Sequence, residues 1–595
     1  MPFFGISQPA EKACFSVPGG FYEESPVLEL FPFYPQHHIR FTTNGNRPTA
    51  QSRLYTEPLL LDESLYSTSD IYTIQVAPDG QMFYPDSIQH CIVIRAAVFD
   101  EDENCISEVA SNSYFIHSLG CDTHGLPVVS LCADSLDLFD YENGILVPGI
   151  HYDSLNPKYT GNYCMRGDEW ERLANVEFYE LNNEGINQLT GLRTRGMSAR
   201  LKQQKGLQVF AREEYGNKRF LHCFFEEIHH NSFKHLSLKP YACAWNGSGC
   251  KDYISNRIAR RLNMEVLASR PAVLFLNGEY WGVYYVQEKP DERYLEDHFN
   301  LDIEKINIIK NWNSADCGDM ESFNAFYEWM QQADLSNPDQ YTYAKTHIDI
   351  DNFVDYYIFE LFSSNLDWPA NNVRLWQHDG SKWRFFFFDG DACFEEQGFD
   401  VFANAVYLGA ATYPSSNKAS LFFRRLIEND QFKDQFTRRF NQLVATVFSY
   451  QETKPFFDYI KSVLEQEVPH QIERFGSPSN ISTWNYYCMA VIDRFLMNRP
   501  GTIIDALNKF ISVREPVVIG FQCFPNPFVD QLTLQVNAKA SKQTEVHVFN
   551  TLGQEVHAQT VMLDAGSNTI RMDVSLPSGC YVLKIDNLVT KVIRQ

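Results

Sequence analysis

The sequence predicts a multidomain chain, with a β-sandwich at each end and an α+β domain between. Three observations predict it. At 595 residues the chain is too long for one core. Residues 1–120 and 516–595 alternate short apolar runs with Gly, Asn, Asp and Pro turns, the pattern of a sandwich. Residues 125–512 instead mix helical periodicity with hairpins. Their order of strands, helix, hairpin, helix, hairpin and then helices suits the α+β class.

Composition narrows the function. Hydrophobic residues at 44% are ample for packed domains. Fifty Lys and Arg stand against 75 Asp and Glu, a net charge of −25. Bulk attraction to nucleic acid or to an anionic membrane is therefore excluded, and any phosphate site must be a local basic patch. No apolar run approaches the roughly 18 residues of a membrane span. The opening "MPFFGISQPAEKACF" lacks the basic and apolar regions of a signal peptide, which taken literally argues for the cytoplasm unless the start is clipped or miscalled. Fourteen cysteines form no CxxC pair, which argues against a structural zinc site and a dithiol redox site. Cys243 and Cys250 stand a short loop apart and read as buried free thiols rather than a disulfide.

At the N-terminus, "IRFTTNGNRPT" sets a strand against the Asn44-Gly45 turn. "LLLDES", "IYTIQVAPDGQMFY" and "CIVIRAAVFDEDENCISEV" are expected to continue the strands. In the centre, "KDYISNRIARRL" (251–262) has Tyr253, Ile254, Ile258 and Leu262 at helical spacing. "RPAVLFLNGEYWGVYYVQEK" is a hairpin around Asn277-Gly278. "DNFVDYYIFELFSS" is an amphipathic helix with Asp351 as its expected N-cap and Phe353, Tyr357 and Leu361 on one face. "LFFRRLIENDQFKDQFTRRFNQLVATVF" is long and helical.

The stretch "SSNLDWPANNVRLWQHDGSKWRFFFFDGD" (363–391) carries the chemistry. Val373–Trp376 and Trp383–Phe388 read as two strands joined by the turn "QHDGSK". In an antiparallel pair the start of the first lies beside the end of the second. Asn372 and Asp389 should then meet at one edge, with Asp391 just beyond and Asp367 entering from the preceding loop. Like charges held together need a compensating cation or proton. Oxygen ligands of this kind suit Mg²⁺. The spacing Asp367-x-x-x-x-Asn372 matches the Asp-to-Asn spacing of a protein-kinase catalytic loop. The competing reading makes Asn371, Asn372 and Asp389–Asp391 plain turn residues. For the nucleotide phosphates, "GLRTRGMSARLKQQKGLQVFAREEYG" offers Arg193, Arg195 and Arg200 around Gly196 and Ser198, then Lys205. Neither GxGxxG nor GxxxxGK[ST] occurs, and the alternative is a basic surface hairpin.

Three resemblances follow from these residues. "IRFTTNGNRPT", Tyr55 and "VIRAAVF" resemble the chitobiase C-terminal type of immunoglobulin-like module. Pro525-Asn526-Pro527-Phe528, Leu552-Gly553 and Ser578-Gly579 before Tyr581 resemble the C-terminal sorting domain of type IX secretion in Bacteroidetes-like bacteria. Such a tail implies a secreted or cell-surface protein handled by the type IX machinery, and outweighs the missing signal peptide. "WERLANVEFYE", the basic loop, "NLDWPANNVRLW", "WRFFFFDGDACF" and "LFFRRLIENDQF" resemble, in order, the secreted branch of the CotH kinase family of spore-coat-like proteins.

The CotH resemblance implies an atypical protein-kinase-like fold using ATP with a divalent metal on a protein substrate. Carried over by position, Asp367 is expected as the catalytic Asp. Asn372 and Asp391 are expected as metal ligands, with Asp389 beside them. Lys205, Arg200, Arg195 and Ser198 are expected to bind phosphate. The chain writes "DGDACF" where the branch writes D-x-D-F-G-F, and Lys251-Asp252 where it writes Arg-Asp. Both departures put turnover in question, not fold. Glu288 is a further polar residue on the hairpin, either lining the nucleotide site or capping a turn. The function expected is an exported kinase transferring phosphate from ATP with Mg²⁺ to Ser or Thr of an envelope or secreted protein. The alternative is an inactive surface adhesion or glycan-binding protein on the same scaffold. A carboxylate-pair glycosidase lacks an assignable aromatic platform, and "RGMSAR" is not a serine-hydrolase elbow.

Overall fold

The computed structural model describes residues 12–241, 247–394, 401–406, 416–514, 518–538, 541–586 and 588–595. Cys243 lies outside them, as does the side chain of Ser198. The chain forms two compact units, the first ending at Thr502 and the second beginning at Ile503.

Seven strands of the first unit close into a barrel. They are β1 (Val128–Ala133), β2 (Arg172–Tyr179), β3 (Gly185–Arg195), β4 (Gly206–Phe210), β5 (His235–Pro240), β6 (Ser269–Leu276) and β7 (Glu279–Gln287). The order round the barrel is β1-β2-β3-β4-β5-β7-β6, and a parallel β6–β1 pairing closes it. Closure leaves no strand edge to cover. Alternate residues build one core: Val129, Leu131, Val176, Phe178, Leu207, Val209, Leu236, Leu238, Leu274 and Val286. The β6–β7 turn is the expected hairpin. Asn277 and Gly278 both have positive φ, 48° and 91°, as this tight turn demands. The Asn277 side chain also pairs with both backbone groups of Ala133 at 2.9 Å.

The N-terminal sheet orders Gly20–Tyr22, Ala110–Ile116, Ile92–Phe99, His38–Thr42 and Arg53–Leu54. One face buries Ile39, Phe41, Ile92, Ile94 and Val98. The other puts Phe21, Val93 and Phe115 against Val273, Phe275 and Tyr280 on the outside of the barrel. The stretch 71–84 departs from the expected strand. It holds a short 3-10 turn, Ile71–Thr73, and no strand. Tertiary contacts override its propensity: the backbone amides of Ile71 and Tyr72 donate to the buried Glu279 carboxylate at 2.7 and 2.9 Å. Ile71 and Val76 enter the barrel core.

A second sheet holds the hairpin of the stretch 363–391. It contains β8 (Ile306–Lys310), β9 (Ser314–Cys317), β10 (Arg374–His378) and β11 (Arg384–Phe387), with Glu265–Val266 on the far side of β11. The β10–β11 register is Arg374↔Phe386, Leu375↔Phe385 and Trp376↔Arg384, as an antiparallel hairpin requires. Three of the four phenylalanines, Phe385, Phe386 and Phe387, are buried and pack on both faces of the sheet, while Phe388 is half-buried. Phe385 and Phe387 pack on helix α3 (Ile350–Ser363) through Tyr356 at 4.9 Å and Phe359 at 4.7 Å. Phe386 joins Tyr294 and Leu295 of helix α2 (Glu292–Phe299). Sandwiched in this way, α3 is buried at every residue except Asp351, so it is not amphipathic as expected. Its N-cap is Asp349, which accepts from Asn352, rather than Asp351. The long helical stretch divides into Ser416–Leu426 and Asp430–Ala445, with Asn429 capping the second.

In the second unit, Val518–Phe524, Gln531–Ala538 and Gly566–Asp573 form one sheet. Glu555–Leu563, Lys542–Phe549, Gly579–Ile585 and Leu588–Arg594 form another. Leu532, Leu534 and Val536 of the first share a core with Val546, Val548 and Leu583 of the second, which makes the expected sandwich.

Candidate functional site

The site forms where the end of the β10–β11 hairpin meets a barrel strand and a helix. After β11 the chain turns through Asp389, whose φ is 65°, into a 3-10 turn over Gly390–Ala392. Gly390 is required there: a Cβ would lie 2.5 Å from Ser255 Oγ and 2.6 Å from Ser255 Cβ. Ser255 belongs to helix α1 (Lys251–Ala259). The backbone N–H of Gly390 donates to Asp252 Oδ1 at 2.7 Å, locking the turn to the first turn of that helix.

Lys239, on β5, is the hub. Its ammonium lies 3.0 Å from Asp252, 2.9 Å from Asp389 and 3.2 Å from Asp391. Gln287, the last residue of β7, donates to the other Asp252 oxygen at 3.1 Å. One cation thus faces three carboxylates, and the carboxylates respond unequally. Burial pushes Asp391 up to about 7, helped by the charges of Asp389 and Asp252 and opposed by Lys239. Burial also acts on Asp389, but Lys239 and then Arg195 hold its carboxyl below the usual range. Asp391 Oδ1 is buried without an aligned hydrogen-bond donor.

Asp367 and Asn372 form the second half. Asn372, with φ of 56°, donates its amide to Asp367 Oδ2 at 3.3 Å. The loop is fixed by Leu366 N–H to Ala392 O at 3.2 Å, Asn311 to Asn371 at 2.8 Å, and the Trp312 indole to Pro369 O at 2.8 Å. Burial and the Asp389 charge raise the Asp367 carboxyl, while Lys251 opposes them. Behind the loop, burial pushes Glu360 up to about 8, and Asn365 bonds it at 2.9 Å.

Asp367, Asn372, Asp389 and Asp391 are therefore brought together, with Arg195 near Asp389. Lys205 and Arg200 are not with them. The Lys205 ammonium is buried, donates to the carbonyls of Arg200 at 2.6 Å and Lys202 at 3.0 Å, and sits over the Tyr163 ring. That burial drives its pKa well below the ordinary value. The Arg200 guanidinium donates to the carbonyls of Cys164, Met165 and Thr194. Both cations knot the basic loop to the segment before β2, a destination that sequence spacing does not carry. Sequence reasoning missed Lys239 as the hub and passed over Asp252, noting it only beside Lys251. The phase of "HLSLKP" was the available signal: Leu236 and Leu238 take the core, so Lys239 faces the other way. Glu288, left undecided on sequence, is buried and accepts from the Ala268 N–H at 2.7 Å. A cavity of about 630 Å³ lined by Arg47, Asp137, Asp140, Glu169 and Arg172 shares no residue with the cluster.

Barrel, helix and acidic hairpin edge define a class of protein in which an oxygen-rich site is closed by one strand lysine. The family comparison is specific. A model described as CotH kinase protein matches residues 192–503, more than half of the chain and a span that includes every residue of the cluster. The chain belongs to the CotH kinase protein family. A secretion system C-terminal sorting domain matches residues 522–595, and a chitobiase/β-hexosaminidase C-terminal domain matches residues 17–82. The chain is thus one handled by type IX secretion, and among the described residues no helix is long and apolar enough to cross a membrane. No curated protein matches the chain.

Proposed function

We propose that the chain is an exported phosphotransferase of atypical kinase-like fold, moving the terminal phosphoryl group of ATP to a Ser or Thr hydroxyl of an envelope or secreted protein. The observation that carries this reading is the Lys239 ammonium lying within 3.2 Å of Asp252, Asp389 and Asp391, with the Asp367–Asn372 pair near enough for the Asp389 charge to raise the Asp367 carboxyl. The donor set is all oxygen, and three carboxylates crowd round the Lys239 ammonium, which fits a hard divalent cation. Asp389, Asp391 and Asn372 would hold Mg²⁺, which when bound neutralises phosphate charge.

Asp367 then orients the acceptor hydroxyl and takes its proton, and Asn372 fixes the working face of the carboxylate. Burial, which raises Asp367, makes it a better proton acceptor than a solvated Asp. Lys239 ties a strand to a helix through Asp252, the same kind of strand-to-helix ion pair that protein kinases require. It holds Asp389 and Asp391 in register. Arg195 supplies the nearby positive charge for the donor phosphates. The N-terminal match to a chitobiase-type module favours one alternative, an inactive adhesion or glycan-binding protein on the same scaffold.

Transfer of label from ATP into protein, with Mg²⁺ present, separates the two. Asp367→Asn should bind nucleotide nearly as well as the parent and lose most transfer, because the group acts in the transition state. Asp391→Ala should weaken Mg²⁺-dependent nucleotide binding itself. A parent that binds Mg²⁺–ATP and transfers nothing is a pseudokinase. One that binds neither supports the adhesion reading.

A further inference from the structure

A second group of ligating side chains lies at the other side of the β7 terminus. His230, Glu288 and His298 bring one ligand atom each within 4.8 Å of one another. His298 Nε2 is 2.7 Å from Glu288 Oε1, and His230 Nε2 is 3.6 Å from the same oxygen. The two imidazole rings stand nearly perpendicular, at 86°, with centroids 4.6 Å apart. His230 Nε2 is buried and has no hydrogen-bond partner. The remaining Glu288 oxygen is fixed by the Ala268 N–H at 2.7 Å, and His298 stacks on Tyr294. These outer contacts orient the ligands as metal sites require.

We propose that His230, Glu288 and His298 form a divalent transition-metal site of the zinc class, distinct from the acidic cluster. Two imidazoles and a carboxylate are the ligands of zinc and its neighbours, not of Mg²⁺ or Ca²⁺. Tetrahedral bonds near 2.1 Å place ligand atoms about 3.4 Å apart, so the observed separations need only small side-chain shifts. Two neutral imidazoles and one carboxylate leave a single negative charge for the ion. The fourth position falls to water. The bound ion joins three elements: the loop before Ser232–Phe233, the end of β7, and α2. Gln287, one residue from Glu288, bonds Asp252 of the acidic cluster, so the ion braces that strand end.

The full chain, stripped with a chelator and titrated with Zn²⁺ by calorimetry and with Co²⁺ by visible absorption, tests this. One equivalent should bind, raise the melting temperature, and give a cobalt spectrum without thiolate charge transfer. Excess Mg²⁺ should not displace it. His230→Ala, His298→Ala and Glu288→Gln should each weaken binding by more than the roughly 10- to 100-fold typical of outer-shell partners. Asp391→Ala, in the acidic cluster, should leave it unchanged, so failure here is separable from failure of the phosphotransfer reading. Should Glu288→Gln not fold, His230→Ala, outside any helix or long strand, decides alone. Unchanged zinc affinity in folded His230→Ala, or a thiolate band with cobalt, overturns the site.

Discussion

Lys239 is a buried cation held among three acids, of which Asp252 is buried as well. Removing one member of a buried ion cluster strands the others, at a cost of about 3–5 kcal/mol. Lys239→Met is therefore expected to lose that much stability at pH 8, read as a lower urea midpoint. The loss should shrink toward pH 5, because the acids it leaves behind then take up protons. An equal loss at both pH values would mean that packing, not charge, is what the lysine supplies. Asp391 is the acid that responds first, since its carboxyl is already raised to about 7.

At the scale of elements, the break between the helices Ser416–Leu426 and Asp430–Ala445 has a local cause. Asn429 accepts from the Phe432 N–H at 3.0 Å and donates to Leu335 O at 2.7 Å. It starts a new helix and ties it to another segment. Asn429→Ala should cost about 1 kcal/mol for the cap and up to a similar amount for the lost carbonyl bond, measured by chemical denaturation. Asn429→Asp should recover the cap part alone. The hairpin shows the same economy: in the loop between β10 and β11, Asp379 and Gly380 have φ of 48° and 72°, and the Ser381 N–H donates to His378 O at 2.9 Å to close the tight turn they make.

For the whole molecule, the contact between the N-terminal sheet and the barrel carries a pH-sensitive group. Glu177 of β2 is buried and accepts from Ser113 N–H at 3.1 Å, Tyr179 at 3.0 Å and Asn187 at 2.9 Å. Burial still pushes its carboxyl up to about 7. A carboxyl raised in the folded state holds its proton while the unfolded chain releases one. Its stabilising share is complete below the unfolded value near 4.5 and is lost as pH rises through 7, at up to about 1.4 kcal/mol per pH unit. Glu177→Gln should flatten that part of the profile of unfolding free energy between pH 5 and 8. An unchanged slope would assign the dependence to Glu279, raised to about 7, or Glu360, raised to about 8. The sorting domain makes a separate prediction. A chain truncated after Arg514 should keep its folded core and remain in the periplasm, and equal surface display of both forms would contradict the role of the tail.

The sequence by itself determined whatever depends on neighbours along the chain. Asn277-Gly278 and the "QHDGSK" turn specified two hairpins through backbone conformations that few residues adopt. The hairpin register in turn placed Asn372 and Asp389 at one edge. The alternation in residues 518–594 likewise specified the C-terminal sandwich. Tertiary structure alone decided what depends on contacts distant in sequence. Barrel closure pairs Val128 with Val273, and the hub joins Lys239 to Asp389 across 150 residues. The same is true of Lys205, a cation whose spacing suits a phosphate but whose ammonium is satisfied by backbone carbonyls. Residues 71–84 have strand composition but give up their strand to the Glu279 carboxylate and the barrel core. Local preferences are worth tenths of a kcal/mol per residue, while burial and the pairing of charge are worth several, so where the two compete the distant contact wins.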